Sequence, residues 1–221
     1  MTDPTPGASP VPLPPHPTLG RYYRDEVERR GFVRDIFDQT AEDYDKVERM
    51  MALGSGSWYR RRALVRSGLR AGMRVLDVAC GTGLVTREEI GIVGPQGVVV
   101  GLDPSVGMVS QARRSMRLVA VMGAGETLPV ADGTVDFLSM GYALRHLADL
   151  GVAFREFHRV LKPGGKVCVL EMTPPRHPVM RALLRLYVRG VIRVLALVAA
   201  RHRQTSRLRQ YFWDTIDACE P

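Results

Sequence analysis

Residues Val75-Leu76-Asp77-Val78-Ala79-Cys80-Gly81-Thr82-Gly83-Leu84 run from a short apolar stretch through an acid into a glycine turn. Gly81 and Gly83 let the backbone approach a ligand where a Cβ would clash. A helix beginning just after them aims free N–H groups into the crevice at the carboxyl end of the strand. No third glycine follows three residues on, which separates the turn from the dinucleotide fingerprint. Asp77 would repel a pyrophosphate and suits an ammonium group. The next apolar stretch ends in Gly101-Leu102-Asp103-Pro104-Ser105, with Asp103 placed 20 residues after Gly83. An acid at that point accepts hydrogen bonds from ribose hydroxyls; its structural alternative is the N-cap of a helix from Val106. Together Asp77, Gly81, Thr82, Gly83 and Asp103 describe a site for a nucleoside with a zwitterionic tail. Arg145 and His146 follow a later apolar stretch, at the mouth of the same crevice. A guanidinium stays protonated, so Arg145 reads as an electrostatic stabiliser and not a base. His146 belongs to the residue type that titrates near neutrality, with a helix-capping or solvated imidazole as its structural alternative.

The elements that must position these residues alternate. Apolar strands are expected at Arg74–Ala79, Val98–Asp103, Leu118–Met122, Val135–Gly141 and Lys166–Glu171. Helices are expected at Leu84–Val93, Val106–Met116 and about Leu150–Leu161. Strands apolar throughout and separated by helices predict an α/β, Rossmann-like fold, a mostly parallel twisted sheet with helices on both faces. Lys162-Pro163-Gly164-Gly165 reads as a tight turn into the fifth strand. Four regions result: a Pro-rich leader over 1–19, read as disordered; a helical segment over 20–70; the Rossmann-like core over 71–175; and a basic segment over 176–221. The helical segment holds one helix over about Tyr22–Ala52 and a second, basic one over about Trp58–Ser67. In the last region Arg181, Arg185, Arg189 and Arg193 recur every four residues beside Leu183, Leu184, Leu186 and Val188, an amphipathic basic helix.

Composition restricts the function classes. The 221 residues suffice for one α/β domain with a buried core. The net charge is +8, and 28 of the 31 basic residues are arginine; such a balance points to an anionic partner. Cys80, Cys168 and Cys219 form neither a disulfide framework nor a metal-binding spacing, and Cys80 and Cys168 read as buried. No histidine cluster suggests a metal. His16, His158, His177 and His202 read as surface residues, and Phe154 and Phe157 as core. Tyr44 and Tyr142 read equally as pocket lining or as packing. No signal peptide or spanning segment is visible, and a cytoplasmic protein is expected.

Residues from about 32 onward resemble the ubiquinone/menaquinone biosynthesis C-methyltransferase (UbiE/COQ5-like) family of class I methyltransferases. The matching features are the Asp77–Gly83 turn, Asp103, Gly123–Pro129, Asp136 and Leu161-Lys162-Pro163-Gly164-Gly165, all in order. More particular are Phe37, Ala41 and Tyr44-Asp45, then Leu144-Arg145-His146, Leu170-Glu171-Met172-Thr173 and Tyr211-Phe212-Trp213-Asp214-Thr215-Ile216. The resemblance implies S-adenosyl-L-methionine (SAM) as cofactor. It implies cofactor contacts at Thr82 and Asp103, adenine contacts around Ala124 and Gly125, and a further contact at Gly141. It also implies a role for Arg145 in organising a water or phenolate. Ala124 stands where relatives offer Asp or Asn to the adenine amino group, leaving backbone or Glu126 to serve. Glu48, Gly56 and Tyr59 replace the usual Asn, His and Trp. Members of the fold finish with an antiparallel hairpin holding the last two strands. The sequence shows no such segment, which predicts a sheet of five strands, open at that edge.

The reading that follows is C-methylation of a prenylated quinol in quinone biosynthesis. The small-molecule substrate is lipid-tailed, and the basic helix meets an anionic membrane surface, peripheral at the inner face. Methylating a phenolic ring carbon calls for a base at its hydroxyl. Three alternatives stand beside it: an O- or N-methyltransferase of another small molecule, a SAM-binding protein without turnover, and an RNA-binding protein. Against RNA, the arginines are not interleaved with stacking aromatics; against a site without function, Asp77, both glycines and Asp103 are all present. No nucleic-acid partner is expected, and a homodimer is compatible with the sequence.

Overall fold

The protein was analysed as a computed structural model, which describes residues 12–173, 175, 177–187, 190 and 203–219. Five strands alternate with helices: β1 (Arg74–Val78), β2 (Val98–Asp103), β3 (Val119–Met122), β4 (Val135–Gly141) and β5 (Leu161–Leu170). Their order in the sheet is β3-β2-β1-β4-β5, and every neighbouring pair is parallel. The chain steps outward from β1 through β2 to β3, then returns to the other side of β1 for β4. The crevice between the carboxyl ends of β1 and β4 is therefore the switch point where such sheets bind ligands. Among the described residues β5 pairs on one side only, as the five-strand expectation required.

Residue alternation explains why the strands are apolar along their whole length. Leu76, Val78, Leu102, Leu138 and Met140 face one side, where α5 (Leu150–Val160) buries Phe157 and Val160 against them. Val75, Val99 and Phe137 face the other side with Leu64 of α2 (Gly56–Arg66) and Val85 and Val93 of α3 (Leu84–Val93). Each buried large aliphatic side chain contributes about 1.5–3 kcal/mol, so both helical layers are held by burial. Asp136 ties three segments at the amino end of β4, accepting from the Arg74 amide at 2.8 Å and from Lys162 Nζ at 2.6 Å. The Lys162–Gly165 turn is taken up inside β5: the register passes from Val135↔Leu161 to Phe137↔Lys166, so the intervening residues bulge from the ladder.

The long helix α1 (Glu26–Met51) crosses the carboxyl end of the sheet, packed on α4 (Val106–Ser115) and on α7 (Arg203–Ala218). Tyr23 and Ile36 are buried there against Leu208, Tyr211 and Phe212. The Tyr22 hydroxyl donates to Asp214 at 2.7 Å. The run Tyr211–Ile216 thus lies in α7 and closes over α1.

Several expectations are corrected. The described part of the Pro-rich leader is docked, with the Leu13 carbonyl accepting from the Leu150 amide at 2.9 Å. His16 is buried, not a surface residue, because it packs beside the guanidinium of Arg29. Phe154 lies 44% exposed, edge-on to the buried Phe157. In the basic segment, Arg181 of α6 (Pro178–Leu186) ion-pairs with Asp217 at 2.6 Å, and Arg185 lies 5.9 Å from the Trp213 ring centre. Both arginines stay largely exposed while reaching α7, and Val179, Met180, Leu183 and Leu186 are exposed as well. Arg189 and Arg193 lie outside the described residues, as does His202.

Candidate active site

At the switch point the two strand ends are built from conformations that side chains rarely adopt. Ala79 (φ 56°) follows β1 and Tyr142 (φ 61°) follows β4. Neither is glycine, and left-handed backbone of this kind concentrates at functional sites. Between them opens a cavity of about 960 Å3, within the size range of small-molecule sites. Its polar end is lined by Ala79, Gly81, Asp103, Ala124, Gly125 and Gly141. At Gly81 (φ 56°) an added Cβ would meet nothing within 4 Å, so a side chain there would enter the space that a ligand needs.

Asp103 is buried at the end of β2, its carboxylate accepting from the Gly81 amide and the Ser105 amide, each at 2.8 Å. Burial pushes its pKa up to about 6. It is not the N-cap of α4: Ser105 caps that helix, its hydroxyl accepting from the Met108 amide at 3.1 Å. With capping assigned to Ser105, the Asp103 carboxylate faces the cavity. Asp38 of α1 accepts from the Ser105 hydroxyl at 2.5 Å and from the Gly107 amide at 2.8 Å. Asp45, about two turns further along the same face of α1, accepts from the Thr82 hydroxyl at 2.5 Å. Helix α1 is thereby tied to both rims of the cavity.

Three residues expected to touch the cofactor do not line the cavity. Asp77 is fully buried beneath the turn, accepting from the Thr86 hydroxyl at 2.6 Å and the Ser139 hydroxyl at 2.9 Å. Strand alternation directs it between α3 and β4, so its influence is a negative field and not a contact with an ammonium group. Thr82 spends its hydroxyl on Asp45. Gly83 is needed for the turn because its φ of 86° is left-handed backbone that side chains rarely adopt. The glycine at 141 is required by packing as well, a Cβ being 2.6 Å from Val85 Cγ2. Glu126 lines the cavity near Ala124, its carboxylate held by the Ala148 amide at 2.7 Å.

Sequence reasoning missed Glu89, fully buried on α3, whose carboxyl is held well above the ordinary range by burial and then by the charge of Asp77. Asp77 itself is raised to about 6, chiefly by burial. Asp77 and Asp103, ionised above about pH 6, make the strand-end side of the cavity an anionic environment suited to a cationic ligand, whereas burial biases Glu89 toward its neutral form. The sign of the pH effect follows. Between the ordinary carboxylate value and about 6, folded Asp77 and Asp103 hold protons that the unfolded chain has released. These two groups therefore lower the stability of the ligand-free protein as pH rises through that window. A cationic ligand relieves the cost, so its stabilising shift in melting temperature should be larger at about pH 7 than at about pH 5. Thermal melts with and without SAM at both values check this.

Helices α1 and α5 add Val33, Phe37, Tyr44 and Val152 to the lining, the turn after β4 adds His146 and Leu147, and the charged Glu26, Arg30, Arg34 and Asp149 line the cavity too. Burial holds Tyr44 and Tyr142 protonated, each pushed up to about 12. Arg145 and His146, adjacent in a single 3-10 turn (Leu144–His146), go opposite ways. His146 lines the cavity, whereas the buried guanidinium of Arg145 forms an ion pair with Glu171 and lies 5.1 Å from the Phe212 ring centre. The Arg145 carbonyl accepts from Arg29 Nη2 at 2.9 Å. Arg145 does not line the cavity, in contrast to its expected place beside the substrate, because Glu171 after β5 draws it into the protein.

Comparison with known proteins decides the lineage. Residues 24–218 match the model of the ubiE/COQ5 methyltransferase family. The chain belongs to that family. It is 31% identical over 191 residues to a demethylmenaquinone methyltransferase of Symbiobacterium thermophilum, covering 83% of this chain and 76% of the relative. It is 32% identical over 188 residues to the ubiquinone/menaquinone biosynthesis C-methyltransferase UbiE of Hahella chejuensis, covering 82% and 76%. Among solved structures, a SAM-dependent methyltransferase from Aquifex aeolicus superposes with a TM-score of 0.53 at 23% identity, over 61% of this chain and 75% of that one. That likeness establishes the fold. As a ubiE/COQ5 family member the chain is a methyltransferase of the class I fold, with SAM as its methyl donor. The residues present fit this donor, since the buried acids suit its positive charge and the open Gly81 leaves it room.

Proposed function

We propose that this methyltransferase places a methyl group on a ring carbon of a prenylated quinol. The single observation that carries the reading is one cavity whose lining holds both the Asp103 carboxylate and the apolar and aromatic Val33, Phe37 and Tyr44. The acid receives a charged nucleoside, and the aromatic side chains meet an aromatic ring. The Symbiobacterium and Hahella relatives are named for demethylmenaquinone and for ubiquinone/menaquinone biosynthesis, which supports a quinol as the ring.

The roles follow from the geometry. Asp103 accepts from the ribose hydroxyls, and Gly81, Ala124, Gly125 and Gly141 form the wall along the nucleoside. Bound SAM supplies an electrophilic methyl group. Asp38 and Asp45 hold α1 across the cavity, so that Phe37 and Tyr44 exclude water from the ring-binding end. Orientation of ring and donor in a closed site supplies much of the rate. The exposed Val179, Met180, Leu183 and Leu186 of α6 support collection of a lipid-tailed substrate at a membrane surface. No helix among the described residues is long and apolar enough to cross a membrane.

The test is substrate length. Reduced demethylmenaquinol carrying a prenyl tail should be methylated with a kcat/KM at least about tenfold above that of the same ring without a tail, the scale of a few buried CH2 groups. Equal values for the two would contradict the prenylated substrate. Flotation with liposomes should recover the protein, and a charge-neutral variant of the α6 apolar positions (Leu183→Ser with Leu186→Ser) should float less.

A further inference from the structure

Among the described residues that line the cavity, His146 carries a buried polar atom that the protein leaves without a partner. His146 Nε2 is buried and has no hydrogen-bond partner. The other ring nitrogen, Nδ1, lies 3.2 Å from the Tyr211 hydroxyl. The imidazole is fixed on three sides: stacked on Tyr211 at 5.5 Å and 22°, edge-on to Phe37 at 5.3 Å, and against Phe212 at 6.2 Å. An unpaired buried nitrogen on a cavity wall marks where a ligand atom completes the hydrogen bonding.

We propose that His146, oriented by Tyr211, accepts the hydroxyl proton of the quinol at Nε2 during methyl transfer. The assignment rests on the quinol reading above and gives it a base. Tyr211 is fully buried and burial raises its pKa, so it remains a neutral phenol. With Nδ1–H donating to the Tyr211 oxygen, the lone pair lies on Nε2, on a residue that lines the cavity.

The surrounding charges keep the imidazole neutral and disfavour a lone imidazolium. Burial holds His146 well below the ordinary histidine value, and next come Arg145 in its own turn, Arg29 of α1 and His16 of the docked leader. Arg145 is paired with Glu171, and Tyr44 of α1 and Tyr211 of α7 stay protonated. The imidazole is therefore neutral throughout the physiological range, its lone pair always available. It is a weak base for a free proton, but the transfer here is between neighbours. The quinol O–H bond breaks, the Nε2–H bond forms, and the electron pair stays on oxygen and enriches the ring carbon that is methylated. Imidazolium and phenolate arise together and offset one another, so the pocket gains no net charge. After the ring carbon is methylated, its own hydrogen leaves as a proton to solvent and Nε2–H returns to the oxygen. One proton is released per methyl group, as the overall reaction requires.

The test compares wild type, His146→Gln, His146→Ala and Tyr211→Phe on a reduced prenylated quinol, with SAM binding by calorimetry as the control for folding. His146→Gln should lower kcat by about 100-fold or more and leave the SAM Kd unchanged. Wild-type kcat should be flat across neutral pH. The His146→Gln rate should rise about tenfold per pH unit toward the phenol's own pKa of about 10, since the substrate must then ionise beforehand. Added imidazole should restore part of the rate of His146→Ala, and Tyr211→Phe should lower kcat while keeping the flat profile. A His146→Gln kcat within about threefold of wild type overturns the assignment; so does a lower rate with the wild-type pH profile and no rescue. A wild type that binds SAM but leaves every quinol unmethylated overturns the substrate reading along with it, which distinguishes the two failures.

Discussion

Replacing Asp103 by alanine is expected to weaken SAM binding by about 100-fold or more, the largest effect of any single change at the donor end. The carboxylate is buried at the end of β2, and two backbone amides already hold it in place. Its remaining acceptor capacity points into the cavity, where two ribose hydroxyls would each contribute a charge-assisted hydrogen bond of about 1.5–3 kcal/mol. Losing both removes at least about 3 kcal/mol, which corresponds to the stated factor. Asp103→Asn is the sharper probe, because it preserves shape and removes charge; it should bind SAM more weakly than wild type and more tightly than alanine. Folding should survive both changes, since Ser105 caps α4 independently. Calorimetric titration checks the affinities. Because the pKa of Asp103 is raised to about 6, wild-type affinity should also fall as pH drops below that value.

The second large effect concerns stability. Arg145→Met should destabilise the protein by about 3–5 kcal/mol, because it strands the Glu171 carboxylate in the interior without its guanidinium. For a chain of this size that corresponds to a fall in melting temperature of about 6–20 °C. The double variant Arg145→Met with Glu171→Leu should recover part of the loss, as apolar replacement of a buried ion pair is often nearly neutral. A stabiliser acting on the substrate would behave differently, lowering kcat while leaving the melting temperature in place. The buried ion pair and the Arg29 contact to the Arg145 carbonyl argue for a residue that fixes the turn and thereby aims His146.

The fold was largely legible because it is written in local patterns. The five apolar strands and their intervening helices follow from burial on two faces, fullest in β1 and β4, which leaves Val- and Leu-rich runs between turn residues. Gly81 and Asp103 could be read because each occupies a strand end where no side-chain competition intervenes. Asp77 could not be placed, since a period-2 alternation decides whether an acid at a strand end faces the ligand or lies beneath it, and Thr86 and Ser139 supply the hydroxyls that retain it. Arg145 misled for a related reason: its partner Glu171 is 26 residues away, beyond any helical spacing. Asp38, Asp45 and Tyr211 act across long separations too, through α1 and α7 packing over the sheet. Glu89 escaped notice because an acid on a helix is ordinarily solvated. The arginines of α6 are the reverse case, an amphipathic pattern whose two faces were legible but whose partner was not, because Asp217 and Trp213 lie on another helix.

The account stands most directly on where the methyl group goes. With SAM labelled with carbon-13 in its methyl group and a reduced, prenylated, demethylated quinol, the product should carry the label as a methyl bonded to an aromatic ring carbon, seen by NMR coupling to the ring. A label found as a methoxy or N-methyl group, or no transfer despite SAM binding, would contradict it.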